Sequence, residues 1–308
     1  MSGRHLDRMC LGSVQLGIDY GISNKKGMVP SAEAHDMLGY AFQKGVRFID
    51  TAADYGKSEE VIGEFTKNSG NYFKVITKVS ASPGSDRAYL EESIYTSLDR
   101  LNADRLYGVL VHSFGDFLNN SRVWDAVSAL RQKGLIEKTG FSLYKPLELE
   151  MLFERGISFD LIQIPFSVFD RRFVPYLKRL KGMEVEIHAR SVFLQGLAFM
   201  GPEQLPECLK GAGGAVRNLR SASAREGLPL HKMCIDAVLS EDLIDKVIVG
   251  VDGFDQLKDN IGIFSTFGRT DTLQGMLAGS EIEDEDILMP YRWRLKRVAE
   301  FQEGELNA

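Results

Sequence analysis

In the stretch FIDTAADYGKSEEVIGEF, residues 48–65, an aspartate and a tyrosine stand at and just behind the end of a short apolar run. Two further apolar runs close on polar groups in the same manner: VITKV carries Lys78 and LVHSF carries His112. Together Asp50, Tyr55, Lys78 and His112 suit one chemistry. A tyrosine with an ordinary pKa of about 10 gives up its proton reluctantly at neutral pH. A lysine ammonium beside it favours the phenolate and lowers that value. An aspartate paired with the lysine keeps the ammonium charged, and a histidine can orient a carbonyl oxygen or relay the proton. The set is an adjustable acid, able to protonate a carbonyl as it receives hydride or to deprotonate an alcohol in reverse. Taken singly each residue has an ordinary explanation: a surface lysine, a satisfied core imidazole, an aspartate capping a turn. Their joint placement at successive strand ends is what favours a site.

Such convergence needs a scaffold that lines up strand ends. Runs rich in Val, Ile, Leu or Phe recur at RMCLGSV, GVRFIDTA, FKVITKV, LYGVLVHS, EKTGFSL, FDLIQIPF, EVEIHARS and DKVIVGV. Most lack polar alternation, which predicts strands covered on both faces. Amphipathic stretches lie between them: SAEAHDMLGYAFQKG, with Ser31 as N-cap and Gly45 as C-cap, then DRAYLEESIYTSLDRLN and NSRVWDAVSALRQKG. Eight strands alternating with helices, with no linker-like composition, predict an α/β fold: a (β/α)8 TIM barrel of parallel strands over residues 1–308 as a single domain. An open doubly wound sheet is the rival. In a barrel the active site forms at the carboxyl ends of the strands, where the four residues fall on three neighbouring ends.

Composition narrows the partners. A formal charge of -6 argues against nucleic acid and anionic membrane, which leaves a small molecule. Cys10, Cys208 and Cys234 form no CxxC pair and are odd in number, a pattern that argues against disulfides or zinc and suits a reducing cytoplasm. His5, His35, His188 and His231 lack metal-ligand spacing, so no metal is expected. No apolar run is long enough for a signal peptide or a membrane span, and the expected location is cytoplasmic.

FIDTAADYGKSEEVIGE, followed by VITKV and LVHSF, resembles the aldo-keto reductase family, NAD(P)H-dependent oxidoreductases on a (β/α)8 barrel. The resemblance runs from LGSVQLG to VIVGVDGFDQLKDNIG, most of the chain. It implies reduction of an aldehyde or ketone, possible sugar-derived substrates included, with Tyr55 as general acid/base, Lys78 and Asp50 tuning it, and His112 orienting the carbonyl. It also implies that Ser142 of GFSLY and Gln163 of LIQIPFS hold the nicotinamide carboxamide. Read without it, Ser142 is a turn residue and Gln163 a buried amide.

In HARSVFLQG, Arg190 stands where the family commonly has an aromatic residue stacked on the nicotinamide, so its role is open between a phosphate and a substrate carboxylate. Ser191 matches the pattern and is implied to meet the pyrophosphate. Gly250, Val251, Gln256 and Asn260 match the segment that holds the adenosine end, Asn260 as the adenine contact. Relatives that use NADPH often carry a basic residue at the places of Gly250 and Gln256. Neither is basic here and Asp252 adds a negative charge, yet the implied cofactor stays NADP ahead of NAD, with Lys258 as a possible compensating charge.

The glycine-rich KGAGGAV, residues 210–216, reads as a flexible loop, and the acidic SEIEDEDILMPYRW as a solvated segment before a C-terminal helix. By the resemblance the segment from about 270 to 308 lines the substrate pocket, with Tyr291 and Trp293 as apolar walls. Two rivals remain: a nicotinamide-binding sensor or channel-associated subunit without significant turnover, and a Schiff-base aldolase or isomerase acting through Lys78.

Overall fold

A computed structural model describes residues 5–268 and 277–293. Eight strands, β1 Met9–Gly12, β2 Phe48–Asp50, β3 Lys74–Val79, β4 Leu106–Val111, β5 Ile136–Ser142, β6 Leu161–Pro165, β7 Glu186–Arg190 and β8 Lys246–Gly250, pair in parallel and in chain order. β1 pairs with β8 as well as β2, which closes the barrel and rules out the open sheet. Helices fill the connections, among them Ser31–Lys44, Arg87–Leu101, Arg122–Gln132, Gly213–Glu226 and Phe254–Thr266. None of the described helices is long and apolar enough to cross a membrane.

Helix Ser31–Lys44 shows how the wrapping works: Ala34, Met37, Leu38 and Ala41 recur at helical spacing and are all fully buried. Gly45 ends it in the left-handed conformation, φ 106°, as the sequence led one to expect. Ser31 is the first helical residue rather than the cap; Pro30 takes the cap position, its fixed extended backbone turning the chain into the helix without a side-chain hydrogen bond. Of the glycine-rich stretch, Gly213–Val216 opens helix Gly213–Glu226 instead of remaining loop, because Ala215, Val216, Leu219 and Ala222 give it a buried face.

Side chains along a strand alternate between its faces, so the barrel interior fills in layers two residues apart. Cys10, Phe48, Ile76, Leu110, Leu161 and Ile248 form an apolar plug in the middle. Two residues further along the same strands come Gly12, Asp50, Lys78, His112, Gln163 and Gly250, and every one of them lines a single cavity. The plug is the floor of that cavity.

Below the plug, at the amino ends, lies a charged layer. Glu186 accepts hydrogen bonds from Tyr107 Oη at 2.6 Å and from Lys138 Nζ, and pairs with His188 Nε2 at 2.6 Å. Lys246 and Lys74 lie over the Phe48 ring at 4.0 and 5.3 Å. Burial opposes the Glu186 charge, but His188, Lys138 and Tyr107 outweigh it and hold the carboxyl well below its ordinary range. A depressed carboxylate stabilises the fold above its unfolded pKa of about 4.3 and loses that contribution as pH falls through the folded value. Glu186→Gln is therefore expected to cost about 2–4 kcal/mol at pH 7 by leaving Lys138 and His188 without their counter-charge. In urea unfolding the gap to the wild type should begin to narrow only below about pH 4.3 and should still be open at pH 3; a gap of the same size at pH 7 and pH 3 would refute the ionic account.

Candidate active site

Strand β2 ends on Asp50 and the chain turns at once to present Tyr55. The turn is set by backbone: Tyr55 N–H donates to Ala52 O at 3.0 Å, Ala53 N–H to Lys78 O at 3.3 Å, and Ser58 N–H to Tyr55 O at 3.0 Å. It rests on Gly17, where an added Cβ would come within 1.8 Å of Tyr55 O, and passes through Gly56 at φ 56°. Ser58 Oγ donates to Ser13 Oγ at 2.7 Å while Ser13 Oγ donates to Asp50 O at 2.8 Å, tying the turn to the ends of β1 and β2.

Behind Tyr55 lies a buried ion pair. Lys78 Nζ donates to Asp50 Oδ2 at 2.8 Å and to Thr51 O at 2.7 Å, with the two side chains 1% and 6% exposed. The other Asp50 oxygen accepts from Gln163 Nε2 at 2.8 Å. The remaining direction of the ammonium faces Tyr55 Oη at 3.5 Å. His112 stands on the far side of the phenol, its ring edge-on to the tyrosine ring at 5.9 Å. Its Nδ1 meets Asp54 Oδ2 at 3.1 Å, and Ser80 Oγ donates to the same carboxylate oxygen at 2.5 Å. Asp54 is held below its usual range chiefly by His112, against some burial.

The phenol departs from expectation in one respect. Lys78 was expected to lower the Tyr55 pKa; burial and the Asp50 charge push it up, with Arg190 partly opposing. The reason is geometric: Asp50 sits closer to the Lys78 ammonium than the phenol does and cancels most of its field. Tyr55 is thereby kept as a protonated donor.

The cavity at the strand ends has a volume of about 480 Å³ and takes in Asp50, Tyr55, Lys78, His112, Ser142, Gln163, Arg190, Ser191, Gly250, Gln256 and Asn260. Val251 does not line it; its side chain is 2% exposed and packs in the core outside the barrel. Gln163 spends an amide N–H on Asp50, which leaves its carbonyl oxygen for a ligand. Arg190 lies over the Tyr144 ring at 3.9 Å and donates to Leu143 O at 2.8 Å and Ser191 Oγ at 3.1 Å. Residues 277–293 add no wall to the cavity: Trp293 is buried and donates to Ile287 O, and Tyr291 reaches the site only by packing edge-on against Tyr144 at 4.9 Å. The rest of the C-terminal segment falls outside the described residues.

Several residues in and around the site escaped the sequence reading. Asp54 stood in plain view beside Tyr55, but its partner His112 is distant in sequence. Gln15, on the single-turn helix Val14–Gly17, Tyr144 and Gln195 fall inside LGSVQLG, GFSLY and HARSVFLQG but were given no role there, and Tyr20 lies in the loop after β1. Tyr20 accepts from Gln195 Nε2 at 2.9 Å and Ile22 N–H donates to Gln195 O at 3.1 Å, so the loops after β1 and β7 clasp each other. The β7 loop does this with Ser191, Leu194 and Gln195 at φ 61°, 45° and 52°, a run of left-handed residues of the kind that gathers at ligand sites. Two buried polar atoms of the wall, Gln15 Oε1 and Arg190 Nε, have no hydrogen-bond partner among the described residues. A hollow of this size, with mixed donors and acceptors left unmet, fits a polar cofactor better than a closed core. Among the described residues no group of three or more His, Cys, Asp or Glu is placed to hold a metal.

Comparison with known proteins agrees with this geometry. The holo form of aldo-keto reductase AKR11C1 from Bacillus halodurans superposes with a TM-score of 0.71 at 21% identity, over 90% of this chain and 94% of that one. An uncharacterized oxidoreductase, YqkF of Bacillus subtilis, is 26% identical over 74% of this chain and 81% of its own length. Pyridoxal reductase of Arabidopsis thaliana is 31% identical over a shorter region, 42% of this chain and 40% of its own. The sequence model of the Aldo/keto reductase family matches residues 8–272, and the chain belongs to that family of oxidoreductases.

Proposed function

We propose that the chain is an NAD(P)H-dependent reductase that converts the carbonyl of an aldehyde or ketone to an alcohol, with Tyr55 as general acid/base. The observation that carries the reading is the buried Asp50–Lys78 pair directed at the Tyr55 hydroxyl beside His112 in an open cavity. A nicotinamide held in the cavity would supply the hydride for the carbonyl carbon. Tyr55 donates its proton to the carbonyl oxygen as negative charge develops there. The Lys78 ammonium then stabilises the phenolate left behind, while Asp50 and Thr51 O keep that ammonium charged and fixed. With Asp54 accepting from Nδ1, His112 presents Nε2 toward the carbonyl oxygen and orients it.

Ser142 and the Gln163 carbonyl are proposed to hold the carboxamide, Arg190 and Ser191 the phosphates, and Gly250, Gln256 and Asn260 the adenosine. The substrate is a small carbonyl compound, and the sequence-stretch similarity to D-arabinose 1-dehydrogenase of Saccharomyces cerevisiae, 30% identical over 37% of each chain, keeps sugars among the candidates. A cytoplasmic setting is supported by Cys10, Cys208 and Cys234 all being free thiols. The Schiff-base reading loses ground because the Lys78 side chain is 1% exposed and its amine is tied by two short hydrogen bonds.

Tyr55→Phe is expected to lower turnover of an aldehyde panel by about 10²–10⁴-fold and to leave nicotinamide affinity unchanged. A wild type that binds nicotinamide but turns over no aldehyde would favour the sensor reading instead. Asp54→Asn should lower kcat by about 10- to 100-fold through misorientation of His112, a milder loss than removal of the phenol. Since reduction needs the protonated phenol and the Tyr55 pKa is raised, the wild-type reduction rate should hold to at least about pH 9. A decline that begins near neutrality would assign the proton to another group.

A further inference from the structure

Beyond β8 the cavity wall is made by Asp252, Gln256, Asp259 and Asn260 together with Gln15 and Gly250. Helix Phe254–Thr266 begins here, and a helix N-terminus ordinarily turns N–H groups toward an anion. In this chain one of those donors, and the N–H just before the helix, are already used. Asp252 N–H donates to Gln256 Oε1 at 2.9 Å and Phe254 N–H to Glu33 Oε1 at 3.1 Å. The side-chain amides are used too: Gln15 Nε2 and Gln256 Nε2 donate to the two oxygens of Asp252, each at 3.3 Å.

Next to Gln15 and Asp252 the side chains offer acceptors. Because Gln15 Nε2 is directed at Asp252, Gln15 Oε1 is left as a buried acceptor with no partner, on a side chain only 8% exposed that lines the cavity. Its position depends on Gly250, where a Cβ would lie 2.8 Å from Oε1 and 2.9 Å from Nε2. The Asp252 and Asp259 carboxylates face the same cavity. The charges around this end are Glu33, Asp252, Asp255 and Asp259 against Lys26 and Lys258. Lys258 lies over the Phe254 ring at 4.6 Å, and Lys26 Nζ and Glu33 Oε1 approach one point, each 3.2 Å from a Cβ built on Gly253. The balance is negative.

We propose that this wall takes the free vicinal diol of an adenine nucleotide's ribose and rejects a 2′-phosphate, so that the chain prefers NADH to NADPH, with Asp252 and Gln15 as specificity-determining residues. The inference rests on the nicotinamide reading above and reverses the order of cofactors that the sequence suggested. Two hydroxyls bring a donor to the unpartnered Gln15 Oε1 and a further one to the spare lone pairs of the Asp252 carboxylate. A phosphate dianion brings acceptors only, sets its charge against Asp252, and leaves Gln15 Oε1 unmet. Hydroxyls of a sugar substrate have the same chemistry, so the experiment must separate the two sources.

Wild type and Asp252→Asn are titrated with NADH and NADPH by nicotinamide fluorescence, and with ADP-ribose and its 2′-phosphate by calorimetry. In the wild type NADH should bind at least about tenfold tighter than NADPH, and the substitution should erase most of that ratio. The ADP-ribose pair should follow the same order. NADPH binding as tightly as NADH, or a ratio that Asp252→Asn leaves unmoved, overturns the inference while the reductase reading stands. If Asp252→Asn alters neither cofactor but raises KM for glyceraldehyde and not for propanal, the diol belongs to the substrate and the inference also falls. Failure of every nucleotide to bind would sink the nicotinamide reading itself, and this inference with it.

Discussion

Everything at the carboxyl end of the barrel is arranged around one buried ion pair. Lys78 and Asp50 are almost wholly removed from water, and a pair so placed survives only if its remaining hydrogen-bonding capacity is met. Thr51 O and Gln163 meet it, from the turn after β2 and from β6 across the barrel. Three strands are thus committed to holding a charge that contributes little to stability compared with a well-packed apolar core. Such an arrangement makes physical sense when the ammonium is needed where it is, with one direction left open. That direction faces Tyr55, and the turn that carries the phenol is fitted against Gly17 and Gly56 so closely that no larger residue could replace either without moving it.

The pair also sets the protonation state of the phenol. An isolated ammonium at 3.5 Å would pull the tyrosine toward phenolate, but Asp50 lies nearer the charge and largely cancels it. Burial then dominates and the proton stays on. In the proposed reaction the result is an acid that resists ionisation in the resting site yet has a fixed cation ready for a phenolate. Preorganisation of this kind would lower the barrier of that reaction, because the stabilising group need not move.

The barrel was legible in the sequence because its strands, buried on both faces, stand out as apolar runs, and because period-two alternation carries Asp50, Lys78, His112 and Gln163 to one level above the plug. Legibility fails where contacts are made between loops. Asp54 binding His112, Tyr20 meeting Gln195 and Gln15 leaning on Gly250 each join segments far apart in the chain, and no local spacing announces them. The charged layer of Glu186, His188 and Lys138 beneath the plug was hidden for a different reason: it lies toward the amino ends of the strands, where polar side chains are common and usually face solvent. The N-cap at Ser31 was misplaced by one residue since a serine beside a proline reads as a cap, although the proline's own backbone does the work.

Arg190 shows how a change of residue at one wall position propagates. An aromatic ring there would be neutral and could lie flat beneath a planar ligand. The guanidinium instead lies on the Tyr144 ring and anchors to Leu143 O and Ser191 Oγ, with Tyr291 backing Tyr144 from outside. No carboxylate among the described residues neutralises it, so its positive charge stays in the cavity, where it opposes the upward pull of burial and of Asp50 on Tyr55. The site therefore holds two cations of different standing: Lys78, cancelled by Asp50 until a phenolate forms, and Arg190, uncancelled and able to act on whatever anionic group enters. With carboxylates gathered past the neighbouring strand β8 around Asp252, charge is unevenly spread over the cavity wall. A ligand that carries its negative charge in the middle and hydroxyls at one end matches that polarity better than one charged at both places.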